Sequence, residues 1–189
     1  MSHRFPVERA GHLLSEERAM ELQPDTLLSL LDVQEGMAVA DIGAGPGFFT
    51  LRLAQGTKGP VYAIDAEEAM LAILRKRAAE RGLLERIRTL TADATALPLP
   101  DGAVERAVAS FVLHEVGNLG QAIAELHRVL APGGKLLVVD WEKKPSPKGP
   151  PLHHRLGSQE LQEALSQKGF LPQASPHGDY YYKMLVTRP

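Results

Sequence analysis

The stretch from position 39 to position 50 decides the fold, and it reads Val-Ala-Asp-Ile-Gly-Ala-Gly-Pro-Gly-Phe-Phe-Thr. A short apolar strand carries Asp41 and runs into Gly43, Gly45 and Gly47, after which an apolar helical stretch begins. Glycine at alternate positions lets the backbone turn with a positive φ and lets a ligand lie directly against the main chain. The stretch therefore predicts a nucleotide-type binding turn after the first strand of an α/β sheet.

The spacing of these glycines separates the kinds of ligand that such a turn can hold. A dinucleotide fingerprint counted from Gly43 needs glycine at position 48, where the chain has Phe48. A phosphate-binding P-loop needs Gly-Lys followed by Ser or Thr, and the sequence contains no such run. An NAD-dependent enzyme is thus a disfavoured alternative.

The rest of the chain alternates between short apolar runs and helical patterns. Strands are predicted at 37–42, 61–64, 87–91, 106–110 and 135–141, and helices at 48–55, 67–81 and from 118 onward. Strands separated by helices predict a doubly wound parallel sheet whose ligands bind at the carboxyl ends of the strands. Two further strands, 170–174 and 180–187, follow a helix that Ser158 is predicted to cap.

Acidic residues stand at the ends of three consecutive predicted strands. Asp41 ends the first, Asp65 ends the second, and Asp93 follows the third. An acid in the position of Asp65 can accept hydrogen bonds from both ribose hydroxyls, which fits NAD as well as other nucleosides. The three acids together with the glycines predict a nucleoside site.

The Asp-x-Gly-x-Gly-x-Gly segment resembles motif I of the class I S-adenosylmethionine-dependent methyltransferases. Residues 130–140, Leu-Ala-Pro-Gly-Gly-Lys-Leu-Leu-Val-Val-Asp, resemble the branch related to ubiquinone and menaquinone biosynthesis, the type 11 methyltransferases. The resemblance implies a Rossmann-like, mostly parallel seven-stranded sheet with an antiparallel last strand, and S-adenosylmethionine as cofactor. It also implies that Asp41 faces the cofactor ammonium and that Asp93 accepts from the adenine amino group.

The cofactor-binding residues expected from the motifs and the resemblance are Asp41, Gly43, Ala44, Gly45, Gly47, Asp65, Ala66, Asp93, Ala94, Ser110 and Phe111.

The acceptor is expected next to residues 110–115, which follow the fourth predicted strand. Enzymes that methylate amino groups of nucleic-acid bases show Asn or Asp, two prolines and an aromatic residue here, whereas this chain reads Ser-Phe-Val-Leu-His-Glu. His114 is the candidate base for a phenol or an enol, and a purely structural histidine is the alternative. We therefore expect O- or C-methylation of a small molecule.

Composition sets the broad class of the protein. The chain has 189 residues, a net charge of −2 and no cysteine, which favours one compact domain without thiolate metal sites, and no metal is predicted. The mixed charges give no sustained basic field, so no nucleic-acid partner is expected. No apolar run is long enough to span a membrane and no signal peptide is visible, so we expect a cytoplasmic protein. The oligomeric state is left open.

Two segments are candidates for covering the site. Residues 1–35, which include His3, Arg4 and Phe5, are predicted to form a helical cap on the cofactor-binding domain of residues 36–189. Residues 143–157 are rich in proline and basic residues, which fits either a lid or an ordinary surface excursion. A pocket blocked by the cap would favour a regulatory module that binds S-adenosylmethionine or S-adenosylhomocysteine without transferase activity.

Overall fold

Seven strands form the centre of the fold in the computed structural model, which describes residues 6–189. The strands are β1 (Val39–Ile42), β2 (Val61–Asp65), β3 (Ile87–Thr91), β4 (Val104–Ser110), β5 (Leu130–Trp141), β6 (Leu171–His177) and β7 (Tyr181–Thr187). They lie in one sheet in the order β3-β2-β1-β4-β5-β7-β6. The first five strands run parallel, and β7 pairs antiparallel with both β5 and β6. The predicted mostly parallel sheet with an antiparallel last strand is confirmed.

Helices flank this sheet and precede it. The α-helices are α1 (Glu16–Leu22), α2 (Pro24–Ser29), α3 (Thr50–Gly56), α4 (Glu68–Glu80), α5 (Leu119–Val129) and α6 (Ser158–Gln167). Short 3₁₀ helices occupy Val7–Leu14, Leu84–Arg86 and Leu152–His154. Two α-helices, α1 and α2, precede the first strand, and Ser15 caps α1 by accepting from the backbone N–H of Arg18 at 3.2 Å.

Hydrophobic packing covers both faces of the sheet, as a parallel sheet requires. All four residues of β1 are buried, with Ala40 and Ile42 in one apolar cluster and Val39 in the other. Leu27 and Leu31, from α2 and the residues just after it, are buried in the same cluster as Val39. The N-terminal helices therefore share a core with the sheet. The division into a cap of residues 1–35 and a domain of residues 36–189 stays a prediction, and His3, Arg4 and Phe5 lie outside the described residues.

The connection from β3 to β4 is a loop, and no helix is predicted there. Pro98, Pro100 and the Asp-Gly pair that follows favour turns over an α-helix. The guanidinium of Arg128 fixes this loop by donating to the carbonyl oxygens of Leu97 and Leu99 at 2.9 and 2.7 Å. The Arg128 side chain of α5 thus holds this loop against the rest of the fold.

Two boundaries also differ from the prediction. Strand β5 begins at Leu130, directly after α5, and its pairing with β4 is irregular before Lys135 pairs with Arg106. The N-cap of α6 is Gly157, and its N–H donates to Glu160 at 3.1 Å. Ser158 is instead the first helical residue, and its hydroxyl donates to Glu142 at 2.7 Å. Across residues 6–189, no helix combines the length and the apolar character needed to cross a membrane.

Candidate active site

One cavity of about 580 Å³ opens at the carboxyl ends of the parallel strands. It falls within the range of about 300–1,000 Å³ that ligand pockets span. Every residue predicted from the sequence as a cofactor or catalytic residue lines this cavity except Gly47. A Cβ at Gly47 would lie 2.2 Å from Leu74 Cδ1, so this glycine lets the turn pack against α4. The cofactor roles of the lining residues stay predictions.

The glycine turn is held in shape by tight packing and by Asp65. Gly43 has a φ of +71°, and a Cβ there would lie 2.6 Å from the Cβ of Val112. The Asp65 carboxylate accepts from the N–H of Gly45 at 2.7 Å and from the N–H of Glu67 at 2.8 Å. Each carboxylate oxygen can accept more than one hydrogen bond, so Asp65 can shape the turn and also bind a ligand hydroxyl.

Asp41 lies at the base of the cavity with 2% of its surface exposed. The Thr50 hydroxyl donates to its carboxylate at 2.6 Å. Burial raises the pKa of Asp41 to about 7, against the opposing effect of the Thr50 hydrogen bond and with help from the negative charge of Asp65. A ligand cation at this point would favour the ionised carboxylate.

Asp93 and Ser110 present polar atoms to other parts of the cavity wall. The Asp93 carboxylate accepts from the backbone N–H of Thr95 at 3.0 Å and from its hydroxyl at 2.8 Å, which orients it. The Ser110 hydroxyl is buried and has no hydrogen-bond partner within residues 6–189. Buried polar atoms are almost always satisfied, so this hydroxyl is available to a ligand.

His114 is paired with Asp140, a residue that the sequence reasoning missed. The distance from His114 Nδ1 to Asp140 Oδ1 is 2.7 Å, and Asp140 is completely buried. An ionised carboxylate only accepts hydrogen bonds, so Nδ1 carries the proton and the neutral ring leaves Nε2 as an acceptor. Burial lowers the pKa of His114, but the hydrogen bond and the charge of Asp140 outweigh burial and raise it above its usual value.

An aromatic wall closes one side of the cavity. Phe111, with an unusual φ of +55°, has its ring centroid 5.9 Å from that of Trp141 and 5.4 Å from that of Tyr181. Among the tyrosines at 180–182, Tyr181 joins this wall from behind, whereas Tyr182 is buried in the cluster on the opposite face of the sheet. Trp141 itself lies in the cavity lining.

Both segments expected to cover the site contribute to the cavity lining. From residues 143–157, Gly149 lies on the Trp141 indole, since a Cβ there would be 2.7 Å from the ring, and Pro150 and Pro151 line the cavity. From the N-terminal segment, Leu13 and Arg18 line it, with Leu13 Cδ1 3.7 Å from the Cβ position of Gly45. Whether either segment opens and closes stays a prediction.

Comparison with known proteins agrees with this geometry. A family profile described as a methyltransferase domain matches residues 40–138, more than half of the chain. The chain belongs to this methyltransferase family. The resemblance to class I S-adenosylmethionine-dependent methyltransferases of the ubiquinone and menaquinone type is confirmed.

Among the relatives of this family member, demethylmenaquinone methyltransferase of Thermus thermophilus is 41% identical over 112 residues, 59% of this chain and 49% of the relative. The ubiquinone/menaquinone biosynthesis C-methyltransferase of Marinomonas sp. is 34% identical over 121 residues, 63% of this chain and 48% of the relative. The chain thus spans about half the length of the curated relatives it matches. A solved S-adenosylmethionine-dependent methyltransferase from Aquifex aeolicus superimposes with a TM-score of 0.91 at 28% identity, covering 98% of this chain and 100% of that one.

Proposed function

We propose that this protein transfers a methyl group from S-adenosylmethionine to a small-molecule acceptor, on oxygen or carbon, by in-line displacement. One observation carries the proposal. A single cavity joins the glycine turn and the acids Asp41, Asp65 and Asp93 to the His114–Asp140 pair. The first group of residues suits a nucleoside with an ammonium, and the pair suits removal of a proton from an acceptor.

The residues present fit the proposed cofactor. Asp41 offers a buried carboxylate to an ammonium, Asp65 offers oxygens to ribose hydroxyls, and Asp93 offers an acceptor to an adenine amino group. Gly43 has no side chain where a Cβ would collide with Val112, so the turn packs directly against the segment that follows β4. When bound, S-adenosylmethionine supplies an electrophilic methyl group on a good leaving group.

The chain's own contribution is to orient the acceptor, exclude water and accept a proton. Phe111, Trp141 and Pro150 form an apolar wall that shields the reacting groups from water. The proton of an acceptor hydroxyl passes to His114 Nε2, and the Asp140 carboxylate stabilises the resulting imidazolium through Nδ1–H. Deprotonation leaves an oxygen, or a ring carbon conjugated to it, electron-rich enough to be methylated.

The acceptor class follows from the wall and the base together. A flat phenol, quinol or enol places an apolar ring against aromatic side chains and a hydroxyl near a histidine. The names of the two curated relatives, which refer to menaquinone and ubiquinone biosynthesis, support an acceptor of this kind. We propose no nucleic-acid acceptor, since residues 110–115 lack the pattern of base-amine methylating enzymes.

The test is transfer of a radiolabelled methyl group from S-adenosylmethionine to a panel of phenols, quinols and enols, with a duplex DNA as the negative control. We expect label in one class of small acceptor and not in DNA. His114→Gln should reduce turnover while leaving binding of S-adenosylhomocysteine intact. Label in no small acceptor, with the cofactor bound, would favour the regulatory binding module instead.

The sequence is also compatible with two other functions. A regulatory module gains no support from the N-terminal segment, because the cavity remains open beside the residues from position 6 onward that line it. The structure gives no support for an NAD-dependent enzyme either, because position 48, where the dinucleotide fingerprint needs glycine, holds Phe48, which is buried beside Phe49. Tight NADH binding measured by fluorescence would revive the second alternative. The cytoplasmic location stays a prediction.

A further inference from the structure

Arg18 is a cation in the cavity wall that the proposed chemistry does not use. It lies on α1 and is half-buried, and its guanidinium carbon is 4.6 Å from the centroid of the Phe111 ring and 5.5 Å from that of Phe48. Cation–π contacts of this kind hold a guanidinium in place and leave its edge available for hydrogen bonds. The arginine is thus fixed at the side of the glycine turn and the aromatic wall.

No carboxylate of residues 6–189 lies within ion-pair distance of this guanidinium. Its Nε is buried and has no hydrogen-bond partner among those residues. Glu21 of the same helix acts on Arg18 only through its charge at longer range, because its carboxylate pairs with Lys148 Nζ at 2.7 Å, and Glu17 lies 3.9 Å from the same Nζ. Burial lowers the pKa of Arg18 to about 10, and the opposing electrostatic effects of Tyr181 and Glu21 offset burial only in part.

Partly removing a cation from water without placing a carboxylate in contact with it costs free energy. A ligand carboxylate that pairs with the cation recovers part of that free energy. A guanidinium pairs best with a planar anion that accepts two parallel hydrogen bonds, which in a small-molecule site means a carboxylate. The other charged groups predicted to touch ligand, Asp41, Asp65 and Asp93, are all acids. Among residues 6–189, two arginines line the cavity, the exposed Arg9 and the half-buried Arg18, and Arg18 is the one held against Phe111. Arg18 therefore offers a fixed cation to a zwitterionic or acidic ligand.

We propose that Arg18 is the carboxylate-binding residue of this cavity. The inference rests on the proposed function, because the carboxylate belongs either to the amino-acid end of the cofactor or to an acidic acceptor. In the first case Asp41 and Arg18 bind the ammonium and the carboxylate of the same amino-acid group. In the second case Arg18 selects acceptors that carry an acid.

The experiment compares ligands that differ only in the carboxylate. Wild type and Arg18→Met are titrated calorimetrically with S-adenosylhomocysteine and with its decarboxylated form. Methionine keeps apolar bulk against the two rings but has no charge. If the carboxylate is the cofactor's, Arg18→Met weakens binding of S-adenosylhomocysteine by about 10- to 100-fold and leaves the decarboxylated ligand unchanged. Arg18→Lys, which keeps the charge without the planar fork, should fall between the two.

Arg52→Met is the matched control. The Arg52 guanidinium also lies over Phe48, at 4.8 Å, but it is outside the cavity lining and pairs with Asp25 at 3.3 Å. The Arg52→Met variant should bind S-adenosylhomocysteine and its decarboxylated form with the affinities of wild type. Far-ultraviolet circular dichroism of each variant shows that it has folded.

The second arm tests the acceptor as the source of the carboxylate. Enzyme saturated with S-adenosylhomocysteine is titrated with 4-hydroxybenzoate and with 4-hydroxybenzamide. Selective loss of the benzoate affinity in Arg18→Met assigns the carboxylate to the acceptor and supports the inference. Equal changes for acidic and neutral ligands in both arms, or no change in either, overturn it. Wild type that binds neither adenosyl ligand overturns the proposed function itself, which is a different result.

Discussion

Asp41 and Asp140 are both buried aspartates near strand ends, and their neighbours give them different chemistry. Within residues 6–189 the Thr50 hydroxyl is the only side-chain donor to Asp41, so burial dominates and the pKa of Asp41 rises to about 7. Asp140 meets the imidazole of His114, which can carry the compensating positive charge. Asp41 is therefore ready for a cationic ligand, whereas Asp140 already has a partner within the chain.

Binding of S-adenosylhomocysteine should strengthen as pH rises through about 7. An ammonium is attracted by the ionised form of Asp41 and not by the neutral form. With its pKa at about 7, the dissociation constant should be about tenfold larger at about pH 5.5 than at about pH 7. Calorimetric titration across this range measures the effect, and Asp41→Asn should bind weakly with a flat profile. A pH-independent affinity in wild type would remove Asp41 from the ammonium site.

The same raised pKa predicts how the stability of the unliganded protein depends on pH. Asp41 of the folded chain still binds a proton at pH values where Asp41 of the unfolded chain, with its ordinary pKa of 3.8, has lost it. The Asp41 contribution to the free energy of unfolding is lost as pH rises from about 4 to about 7. Urea unfolding of wild type and Asp41→Asn should show the variant gaining relative stability over that interval.

Asp140→Asn should lower the pKa of His114 and slow turnover. The amide removes the negative charge that raises the imidazole pKa, so the acidic limb of the pH–rate profile should move to lower pH. Turnover should fall by up to about 100-fold, the lower end of what a positioned base contributes. An NMR titration of the His114 ring measures the pKa directly, with His114→Gln as the assignment control. An unmoved pKa would show that Asp140 has only a structural role.

The stability linked to this pair has the opposite pH dependence to that of Asp41. The raised pKa of His114 contributes stability that is fully present below its ordinary pKa of 6.5. That contribution is lost as pH rises through the folded value. The stability difference between wild type and Asp140→Asn should therefore be larger at acidic pH.

Among single residues of the cavity, the acids at the ends of the first three strands could be identified from the sequence. The residues that other parts of the chain contribute to the cavity could not. Asp41, Asp65 and Asp93 stand at ends of runs that read as strands, so their common edge was predictable. Asp140 was missed because its closeness to His114 depends on β5 lying beside β4, which sequence order alone does not state. Arg18 was missed because a charged residue on a short helix normally indicates an exposed face.

The glycine turn is the element whose shape the proposed site depends on most. Gly43 combines a φ of +71° with a Cβ position 2.6 Å from Val112, whereas Gly36, with a φ of +92°, has open space around it. Gly36→Ala should cost about 1–2 kcal/mol in the free energy of unfolding, from the backbone alone. Gly43→Ala should cost about 1–3 kcal/mol more, because a stiff β-branched neighbour must move. Urea unfolding of both variants is the measurement, and equal costs would contradict the close packing.

Arg155 is predicted to keep the 143–157 segment rigid over the cavity. Its guanidinium donates to the carbonyl oxygens of Pro150, Lys144 and Lys148 at 2.9, 2.7 and 3.0 Å, and its carbon lies 4.9 Å from the centroid of the Trp141 ring. Lysine cannot reproduce this fork. Arg155→Lys should therefore increase hydrogen exchange of amides in the segment and raise the acceptor KM more than it weakens cofactor binding.

Arg128→Lys provides the control for that experiment. Arg128 supports the loop at Leu97 and Leu99 with the same kind of contacts, but that loop does not line the cavity. The control should increase exchange near position 97 and leave the acceptor KM unchanged. Unaltered exchange in Arg155→Lys would mean that other contacts hold the segment.

Elements with a clear periodicity were predicted well, and elements defined by tertiary contacts were not. Asn118 caps α5 and the apolar stripe of that helix is buried, both as its pattern indicates. The start of β5 at Leu130 could not be predicted, because Pro132 and two glycines read as a turn, whereas Leu130 already pairs with Val104 before the irregular stretch that ends at Lys135. The antiparallel β7 came from the resemblance and not from rules for parallel strands.

For the whole molecule, the order of strands concentrates the chemistry at one edge of the sheet. The parallel strands β1, β2, β3 and β4 end on the same side, and the N-terminal segment and residues 143–157 complete the wall from opposite ends of the sequence. The match to the Aquifex aeolicus structure covers 98% of this chain and 100% of that one, whereas the segments matched in the two curated relatives cover about half of each relative. The chain thus shares the whole fold of that solved methyltransferase, and the acceptor is the part of the proposed function that most needs direct measurement.

The most direct test of the account is calorimetric titration of the protein with S-adenosylmethionine and S-adenosylhomocysteine, repeated with Asp65→Asn. We predict dissociation constants on the order of micromolar, about −8 kcal/mol, for wild type and at least about tenfold weaker binding for the variant. Asp101→Asn, an exposed acid outside the cavity, should bind like wild type. Absence of binding of either ligand to folded wild-type protein would contradict the assignment of the glycine turn to this cofactor.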